Sequence, residues 1–280
     1  MTAPPDQSLA RQPVELRRVR AVLFDMDGVL YRGAVALPGV NELLEFLARH
    51  GVAYACITNN TSRTPVQFSD KLAGLGIAIP AERVVTSATA TSIWLREREP
   101  RGTTIYPIGM DGLRQALFDD GYFVEQVDRP QYVVVGGDFE ITYAKLAAAC
   151  LAIRAGAAFV GTNPDTTFPS EQGLIPGAGA LIAALEAATE QKAMIIGKPE
   201  RAMFDAALHL LGVPAGEALV VGDRLDTDIL GAQRAGVPSL LVLTGVSSAT
   251  EAASGPIRPD AVSTGLTELR TAWEDAVRAG

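Results

Sequence analysis

Runs of apolar residues alternate along the chain with segments in which apolar side chains recur at helical spacing. Residues 21–24 are continuously apolar, which is typical of a strand buried on both faces of a parallel sheet. The segment LPGVNELLEFLARHG then places Val40, Leu43 and Leu47 on one helical face and ends at Gly51, a residue type that often closes helices. Repetition of this strand and helix unit predicts a parallel α/β sheet.

The alternation pauses near residue 90 and starts again at TIYPIG, which indicates an insertion. We expect an α/β fold with a doubly wound parallel-sheet (Rossmann-like) core and an inserted α/β cap domain. The core would take residues 16–88 and 190–280, the cap residues 89–189, and residues 1–15 would form a flexible tail. The strand AMIIG is expected to resume the core, and PDTTFPSEQGLIPG before it to form a loop.

Charge and hydropathy narrow the class of protein. The formal charge of −8 argues against a nucleic-acid binder, which needs a basic surface to displace counterions from phosphates. No apolar run reaches the length of a membrane span, about 18 residues, and the start MTAPPDQSLARQP lacks the apolar core of a signal peptide. We therefore expect a cytoplasmic protein without nucleic-acid or membrane partners.

Four of the predicted strands end in polar residues, in the segments FDMD, CITNN, IIGK and VVGD. Open parallel sheets bind ligands at the carboxyl ends of their strands, so we expect these segments to converge on one crevice. A carboxylate at the end of a buried strand costs free energy unless it is paired, hydrogen-bonded or bound to a metal. Asp25 and Asp27 therefore require such a partner.

The motif D-x-D-G at Asp25 also begins calcium loops of the EF-hand type, but the spacing excludes that class. Counting from Asp25 places Val29 at position five and Ala36 at position twelve, where such a loop needs oxygen ligands. Covalent catalysis fits better: Asp25 would attack phosphorus as the nucleophile, and Asp27 would donate and accept the proton.

Further residues at the strand ends complete a site for a phosphoryl group. Asp223 and Asp228 add carboxylates, and this oxygen-rich set in a chain with two histidines favours Mg²⁺ over zinc. Lys198 would neutralise Asp25 and the phosphoryl oxygens, and the segment TNN at 58–60 supplies a hydroxyl, amides and backbone N–H groups.

The ordered motifs DMDGVLYRG, TNN, GKP and GDRLDTD resemble those of the haloacid dehalogenase-like phosphatase superfamily. The resemblance implies that Asp25 is the nucleophile and that Asp27 is the acid and base. It implies that Thr58, Asn59 and Lys198 bind the phosphoryl group. It also implies that Asp25, Asp27 (through its carbonyl) and Asp223 bind Mg²⁺. It also implies that Asp228 orients the site without binding the metal directly.

The insertion resembles the type II, subclass A cap of the p-nitrophenyl phosphatase and phosphoglycolate phosphatase branch, through GTNPD and IPGAGAL. Loops of such caps contact the non-phosphate part of the substrate, so we predict that specificity lies with Asn163, Asp165, Phe168 and Pro169. Pyridoxal phosphatases of the branch carry a histidine where this chain has Phe168, which weakens that assignment.

The sequence therefore predicts a Mg²⁺-dependent phosphatase for small phosphorylated metabolites, of the phosphoglycolate or p-nitrophenyl phosphate type. Sugar phosphates, nucleotides and pyridoxal phosphate stay open as substrates, as does phosphoryl transfer by a mutase. Dehalogenation is less favoured, because it does not need the proton donor Asp27. A binding protein on the same fold is the alternative outside enzymes. An exposed edge strand of the cap would allow a homodimer.

Overall fold

Two parallel β-sheets flanked by helices form the part of the chain that the computed structural model describes, residues 14–170 and 172–279. The strands are β1 (Ala21–Phe24), β2 (Tyr31–Arg32), β3 (Val35–Ala36), β4 (Ala53–Thr58), β5 (Val84–Thr86), β6 (Thr104–Ile108), β7 (Val124–Glu125), β8 (Tyr132–Val135), β9 (Ala158–Gly161), β10 (Thr167–Ser170), β11 (Gly173–Pro176), β12 (Met194–Ile195), β13 (Ala218–Gly222), β14 (Ser239–Val242) and β15 (Ala261–Ser263). The helices are α1 (Val40–Arg49), α2 (Pro65–Gly74), α3 (Ser87–Arg96), α4 (Asp111–Phe118), α5 (Tyr143–Arg154), α6 (Ala178–Thr189), α7 (Arg201–Leu211), α8 (Leu230–Ala235), α9 (Ala249–Ser254) and α10 (Leu266–Arg278).

The larger sheet has the order β15-β14-β13-β1-β4-β5, with parallel neighbours throughout. The chain runs from β1 to β4 on one side and returns to β13 on the other, so the strand order reverses at β1. Ligands of open α/β sheets bind beside such a reversal, at the carboxyl ends of the strands. The prediction of a doubly wound α/β core is confirmed.

Strand β1 shows why its sequence is apolar without interruption. Ala21 and Leu23 belong to one apolar cluster, and Val22 and Phe24 belong to the cluster on the opposite face of the sheet. Successive side chains of a strand point to opposite faces, so helices on both faces require apolar residues at every position. All four side chains are buried.

The smaller sheet has the order β12-β9-β8-β6-β7, again with parallel neighbours. The prediction that AMIIG resumes the core was wrong, because β12 pairs with β9 of this second sheet. Gly161 on β9 leaves the necessary room: a Cβ there would lie 2.7 Å from Cδ1 of Ile195. An apolar run indicates a strand but does not indicate its partner. The predicted domain boundaries at 88–89 and 189–190 stay predictions.

The segment predicted as a loop at 164–177 contains an antiparallel hairpin. Thr167 pairs with Pro176 and Phe168 with Ile175, in the two strands β10 and β11. The expectation of a loop was wrong over these eight paired positions, because the residues typical of turns in this segment do not reveal pairing between such short strands.

Most of the predicted tail lies outside the described residues, which begin at Val14. Val14 and Leu16 are partly buried against the apolar cluster that contains Phe24. No helix within the described residues combines the length and the apolar character that crossing a membrane requires.

The edge strands of the smaller sheet, β12 and β7, are two residues long each. So short an edge offers few backbone groups to a second chain. The predicted cap-mediated homodimer and the cytoplasmic location stay predictions.

We expect the contact between α1 and α10 to stabilise the larger sheet. Trp273 is 2% exposed, and its ring centroid lies 5.8 Å from that of Phe46. Trp273→Ala should lower the free energy of unfolding by about 3–5 kcal/mol, because it leaves a cavity. Urea denaturation would measure the change. The exposed Val277 on the same helix is the matched control, and Val277→Ala should change it by less than about 0.5 kcal/mol. Equal effects of the two substitutions would contradict this packing.

Candidate active site

Asp25 is the first residue beyond β1, at the point where the strand order reverses. Its backbone N donates a hydrogen bond to the carbonyl of Val221 on β13 (2.9 Å), which continues the ladder past the strand's end. The side chain is 13% exposed and therefore reaches solvent only through the crevice. The carboxylate is thus placed at the carboxyl edge of the larger sheet, as predicted.

Lys198 connects two carboxylates within this crevice. Its Nζ donates hydrogen bonds to Oδ1 of Asp25 and to Oδ1 of Asp228 (2.7 Å), and lies 3.5 Å from the carbonyl oxygen of Ile57. The Lys198 side chain is 4% exposed, so little water screens these contacts. The ammonium group therefore fixes the relative positions of residues that follow three different strands.

Asn59 holds the backbone of Lys198 from both sides. The Lys198 N–H donates to Oδ1 of Asn59 (2.8 Å), and Nδ2 of Asn59 donates to the Lys198 carbonyl (2.9 Å). Residue 197 is a glycine, where a Cβ would lie 2.6 Å from Oδ1 of Asn59. Sequence reasoning predicted a phosphoryl contact for Asn59. That contact stays a prediction, whereas the observed hydrogen bonds give this amide a positioning role that no sequence signal indicated.

The loop after β4 is shaped by short-range hydrogen bonds. Thr58 Oγ1 accepts from the N–H of Asn60 (3.2 Å), and Asn60 Oδ1 accepts from the N–H (2.9 Å) and the hydroxyl (2.8 Å) of Ser62. Helix α2 then begins with a capping box between Thr64 and Gln67. These bonds keep Thr58 and the loop N–H groups at the same sheet edge as Asp25.

Three carboxylates, those of Asp25, Asp223 and Asp228, each have one oxygen within 4.8 Å of the others. Both oxygens of Asp228 already accept hydrogen bonds, from Lys198 Nζ and from the N–H of Arg224 (3.1 Å). Asp223 Oδ2 accepts from the N–H of Val246 (2.8 Å), but its buried Oδ1 has no hydrogen-bond partner among the described residues. A hard divalent cation would satisfy that oxygen, so the set fits a cation held by Asp25 and Asp223.

The electrostatics of this cluster agree with such a fit. Burial raises the pKa of Asp25 to about 8, although the Lys198 ammonium acts to lower it. Burial and the neighbouring Asp228 carboxylate raise the pKa of Asp223 to about 6. Burial acts to lower the pKa of Lys198, but the carboxylates of Asp228 and Asp25 together raise it. One ammonium group faces three carboxylates, and a divalent cation would balance this excess of negative charge.

Glycines close tightly around the carboxylates. A Cβ on Gly245 would lie 1.8 Å from Oδ2 of Asp223, and one on Gly28 would lie 2.5 Å from the same atom. Gly28 also has a φ of +85°, which lets the chain turn sharply after Asp27. The segment around Gly245 was missed by sequence reasoning, although it follows the apolar strand β14 as the recognised motifs follow theirs.

Asp27 lies on the solvent side of the crevice and is exposed. Partial desolvation of its carboxyl raises the pKa of Asp27, and the charges of Lys71 and Arg32 act to lower it. Arg32 is held by a hydrogen bond to the carbonyl of Gly245 (3.0 Å). Sequence reasoning did not identify Lys71, because a lysine on an amphipathic helix carries no functional signal by itself. Whether the Asp27 carbonyl binds a metal stays a prediction.

Two predicted specificity residues lie against the core. Asn163 is 4% exposed, and its Nδ2 donates to the carbonyl of Asn59 (2.7 Å). Asp165 Oδ2 accepts from Nδ2 of Asn59 (3.1 Å). The predicted substrate contact of Asn163 does not agree with this burial, because its amide is enclosed. Asn163 instead joins the end of β9 to the loop after β4.

The other two predicted specificity residues lie on the hairpin strand β10. Phe168 is half-buried, and its ring centroid lies 5.1 Å from that of Phe139. Pro169 is exposed. Phe168 lines an open cleft that also contains Lys71, which interacts with Asp27. Contact of Phe168 and Pro169 with substrate stays a prediction.

Two segments of the chain match known protein families. Residues 22–123 match the family described as haloacid dehalogenase-like hydrolase, and residues 195–269 match a second description, HAD-hydrolase-like. The two matched segments contain the residues around Asp25, Lys198 and Asp223.

Among curated relatives, an acid sugar phosphatase of Staphylococcus epidermidis is 37% identical over 244 residues, covering 87% of this chain and 94% of that protein. The structure of a 4-nitrophenylphosphatase from Thermotoga maritima matches with a TM-score of 0.87 and 34% identity, covering 92% of this chain and 98% of the other. A glycerol phosphate phosphatase from Mycobacterium tuberculosis, in complex with magnesium, matches with a TM-score of 0.83 and 36% identity, covering 91% and 77%.

We expect Asn59 to stabilise the fold as well as the crevice. Asn59→Ala removes both side-chain partners of the Lys198 backbone, and should lower the free energy of unfolding by about 2–4 kcal/mol, because buried N–H and C=O groups lose their hydrogen bonds. Urea denaturation would measure this. Asn41 is the control, since its exposed amide donates one hydrogen bond, to Gly76, and Asn41→Ala should cost less than about 1 kcal/mol. A smaller loss of unfolding free energy than in the control would contradict this role, because water would then replace the two hydrogen bonds of Asn59 to the Lys198 backbone.

Proposed function

The chain belongs to the haloacid dehalogenase-like hydrolase family, in the subclass IIA branch that includes p-nitrophenyl phosphatases, and we propose that it is a Mg²⁺-dependent phosphomonoester phosphatase. One observation carries the proposal. Lys198 donates a hydrogen bond to Asp25 at the edge of the larger sheet, and the same cluster contains Oδ1 of Asp223, which has no partner among the described residues. A nucleophile, a cationic phosphoryl binder and a cation site thereby meet within one crevice.

The reaction would run in two steps through an aspartyl phosphate. A carboxylate oxygen of Asp25 attacks phosphorus and the bond to the leaving-group oxygen breaks, while Asp27 protonates that oxygen. Asp27 then takes a proton from water, which attacks phosphorus and releases phosphate and the free Asp25 carboxylate. Lys198, Thr58 and the backbone N–H of Asn59 would hold the phosphoryl oxygens during both steps.

The cation would be held by the carboxylates of Asp25 and Asp223, together with the carbonyl of Asp27. When bound, Mg²⁺ neutralises charge on the phosphoryl oxygens and on the attacking carboxylate. Asp228 would not bind it directly, because both its oxygens accept hydrogen bonds from Lys198 and Arg224. The magnesium complex of the related glycerol phosphate phosphatase supports the choice of ion.

Water is the acceptor that the geometry favours over a second sugar. Asp27 is exposed and the cleft beside it is open to solvent, whereas a mutase must exclude water from its closed site. The exposed proton donor also favours cleavage of a phosphate ester over dehalogenation. The catalytic set of Asp25, Asp27 and Lys198 is intact, which supports an enzyme over a binding protein.

Substrates of the small phosphorylated type are supported by the names of the relatives, an acid sugar phosphatase, a 4-nitrophenylphosphatase and a glycerol phosphate phosphatase. We therefore keep phosphoglycolate, p-nitrophenyl phosphate and small sugar or polyol phosphates as the substrate group. Nucleotides and pyridoxal phosphate stay as alternatives.

Asp25→Asn should lower kcat for p-nitrophenyl phosphate by at least about a thousandfold, because the amide oxygen is a poor nucleophile. Phosphate release is the measurement. Acid quenching of the wild-type reaction should also leave a phosphoryl group on the peptide that contains Asp25.

The conservative control is Asp226→Asn, at an exposed acid of the motif GDRLDTD that pairs with Arg224. It should keep most of the activity. Full activity of Asp25→Asn, without a trapped phosphoenzyme in the wild type, would overturn the proposed mechanism.

Gly245→Ala should raise the Mg²⁺ concentration for half-maximal activity by about tenfold or more, because its Cβ would displace the Asp223 carboxylate. Titration of activity with Mg²⁺ after treatment with EDTA would measure it. Gly216→Ala is the control, since a Cβ at Gly216 meets no atom within 4 Å. An unchanged Mg²⁺ requirement in Gly245→Ala would contradict the assignment of Asp223 as a ligand.

A further inference from the structure

An open cleft of about 700 Å³ lies beside the crevice, between α2 and the loops of the smaller sheet. Arg63, Asp70 and Lys71 line it on the side of α2, and Phe139 and Phe168 line it on the other. The proposed reaction uses none of these side chains. The cleft is therefore a candidate place for the part of the substrate that leaves with the oxygen.

Lys71 connects this cleft to the reacting groups. Its Nζ lies 3.8 Å from the centroid of the Tyr31 ring, and Tyr31 is buried and forms a β-bridge with Asp27. Lys71 also lowers the pKa of Asp27, which shows that the two charges are close. A leaving group protonated by Asp27 would thus pass directly over Lys71.

Arg63 adds a second positive charge to the same wall. Its backbone packs closely against α4, since a Cβ on Gly112 of that helix would lie 2.4 Å from the carbonyl oxygen of Arg63. The neighbouring Thr61 hydroxyl accepts a hydrogen bond from the N–H of Gly137 (3.2 Å). These contacts hold the start of the Arg63 side chain at the mouth of the cleft.

The carboxylate of Asp27 lies near Lys71 and acts to raise its pKa, without a direct ion pair between the two residues. Neither Arg63 nor Lys71 forms an ion pair with any residue in 14–170 or 172–279, although the chain as a whole carries a formal charge of −8. Burial lowers the pKa of Lys71, Asp27 raises it, and the like charge of Arg63 lowers it further. Asp70 and Asp27 offset these two charges formally, but neither carboxylate forms a direct ion pair with Arg63 or Lys71. Two neighbouring cations that repel each other are stabilised by a shared anion.

The opposite wall is apolar. Phe139 is 45% exposed, and its ring packs against that of Phe168 on the hairpin. Exposed aromatic rings facing a cationic wall suit a short carbon skeleton that carries a charged group on one side.

We propose that Lys71 and Arg63 form an anion subsite for the leaving group, and that the enzyme prefers phosphomonoesters with a second negative charge, a carboxylate or a second phosphate. This inference rests on the proposed phosphatase activity. Phe168 would cover the carbon skeleton, while Lys71 and Arg63 would bind the distal anion. The two residues determine specificity and take no part in bond cleavage.

The test compares substrates that differ in the distal anion alone. The full-length protein with Mg²⁺ is assayed with 3-phosphoglycerate against glycerol 3-phosphate, and with fructose 1,6-bisphosphate against fructose 6-phosphate. In at least one pair, kcat/KM should be about tenfold higher for the substrate that carries the second anion. A preference in the first pair alone would show that the subsite binds a carboxylate, and a preference in the second pair alone would show that it binds a phosphate. A preference in both pairs would show that it binds either anion.

Variants then assign the preference to the two cations. Lys71→Met and Arg63→Met should each reduce the ratio about threefold to tenfold, Lys71→Arg should retain it, and Asp70→Asn should raise it. A ratio cancels any common effect of Lys71 on Asp27. The matched control is Lys192→Met, which removes an exposed lysine that pairs with Glu186 on α6. This substitution should leave the ratio unchanged.

Absence of any preference in the wild type, or a preference unchanged in both Lys71→Met and Arg63→Met, would overturn the anion subsite. In that case hydrolysis of p-nitrophenyl phosphate, lost in Asp25→Asn, would still support the proposed phosphatase. Release from no ester at all would overturn the phosphatase activity and the subsite with it.

Discussion

The ammonium group of Lys198, placed between the carboxylates of Asp25 and Asp228, is the interaction on which the site depends. Three carboxylates lie within 4.8 Å of one another in surroundings that exclude most water, an arrangement that repels itself. The lysine compensates part of that charge, and burial raises the pKa values of Asp25 and Asp223 because the compensation is incomplete. A divalent cation beside Asp223 would compensate the remaining negative charge.

Placing that lysine requires both sheets. Lys198 follows β12 of the smaller sheet, while Asp25 follows β1 of the larger one. Asn59 joins them, because its amide brackets the Lys198 backbone and its carbonyl accepts from Asn163. The smaller sheet therefore positions the lysine that contacts Asp25 on the larger sheet. A change in the packing between the sheets would move the lysine relative to its carboxylates.

The same contacts separate the cap residues that pack against the core from those that line the cleft. The side chains of Asn163 and Asp165 are engaged by Asn59, whereas Phe168 packs against Phe139 and lines the cleft. Facing these rings, α2 presents Lys71. The residues that select a substrate would thus come from the core and the insertion together, on opposite walls of one cleft.

The order of apolar strands, each ending in a polar motif, was sufficient to predict the parallel core and the meeting of Asp25 with Lys198 at its carboxyl edge. The reason is that two-sided burial and the shared carboxyl edge are local properties of each strand. The partner of a strand, and whether a side chain is available to a ligand, are not local properties. Whether β12 paired with β1 or β9, and whether the amide of Asn163 faced the substrate or Asn59, depended on packing between segments distant in the chain. The position of Lys71 beside Asp27 was also decided by the tertiary structure, because a helix face acquires a function only from what lies opposite it.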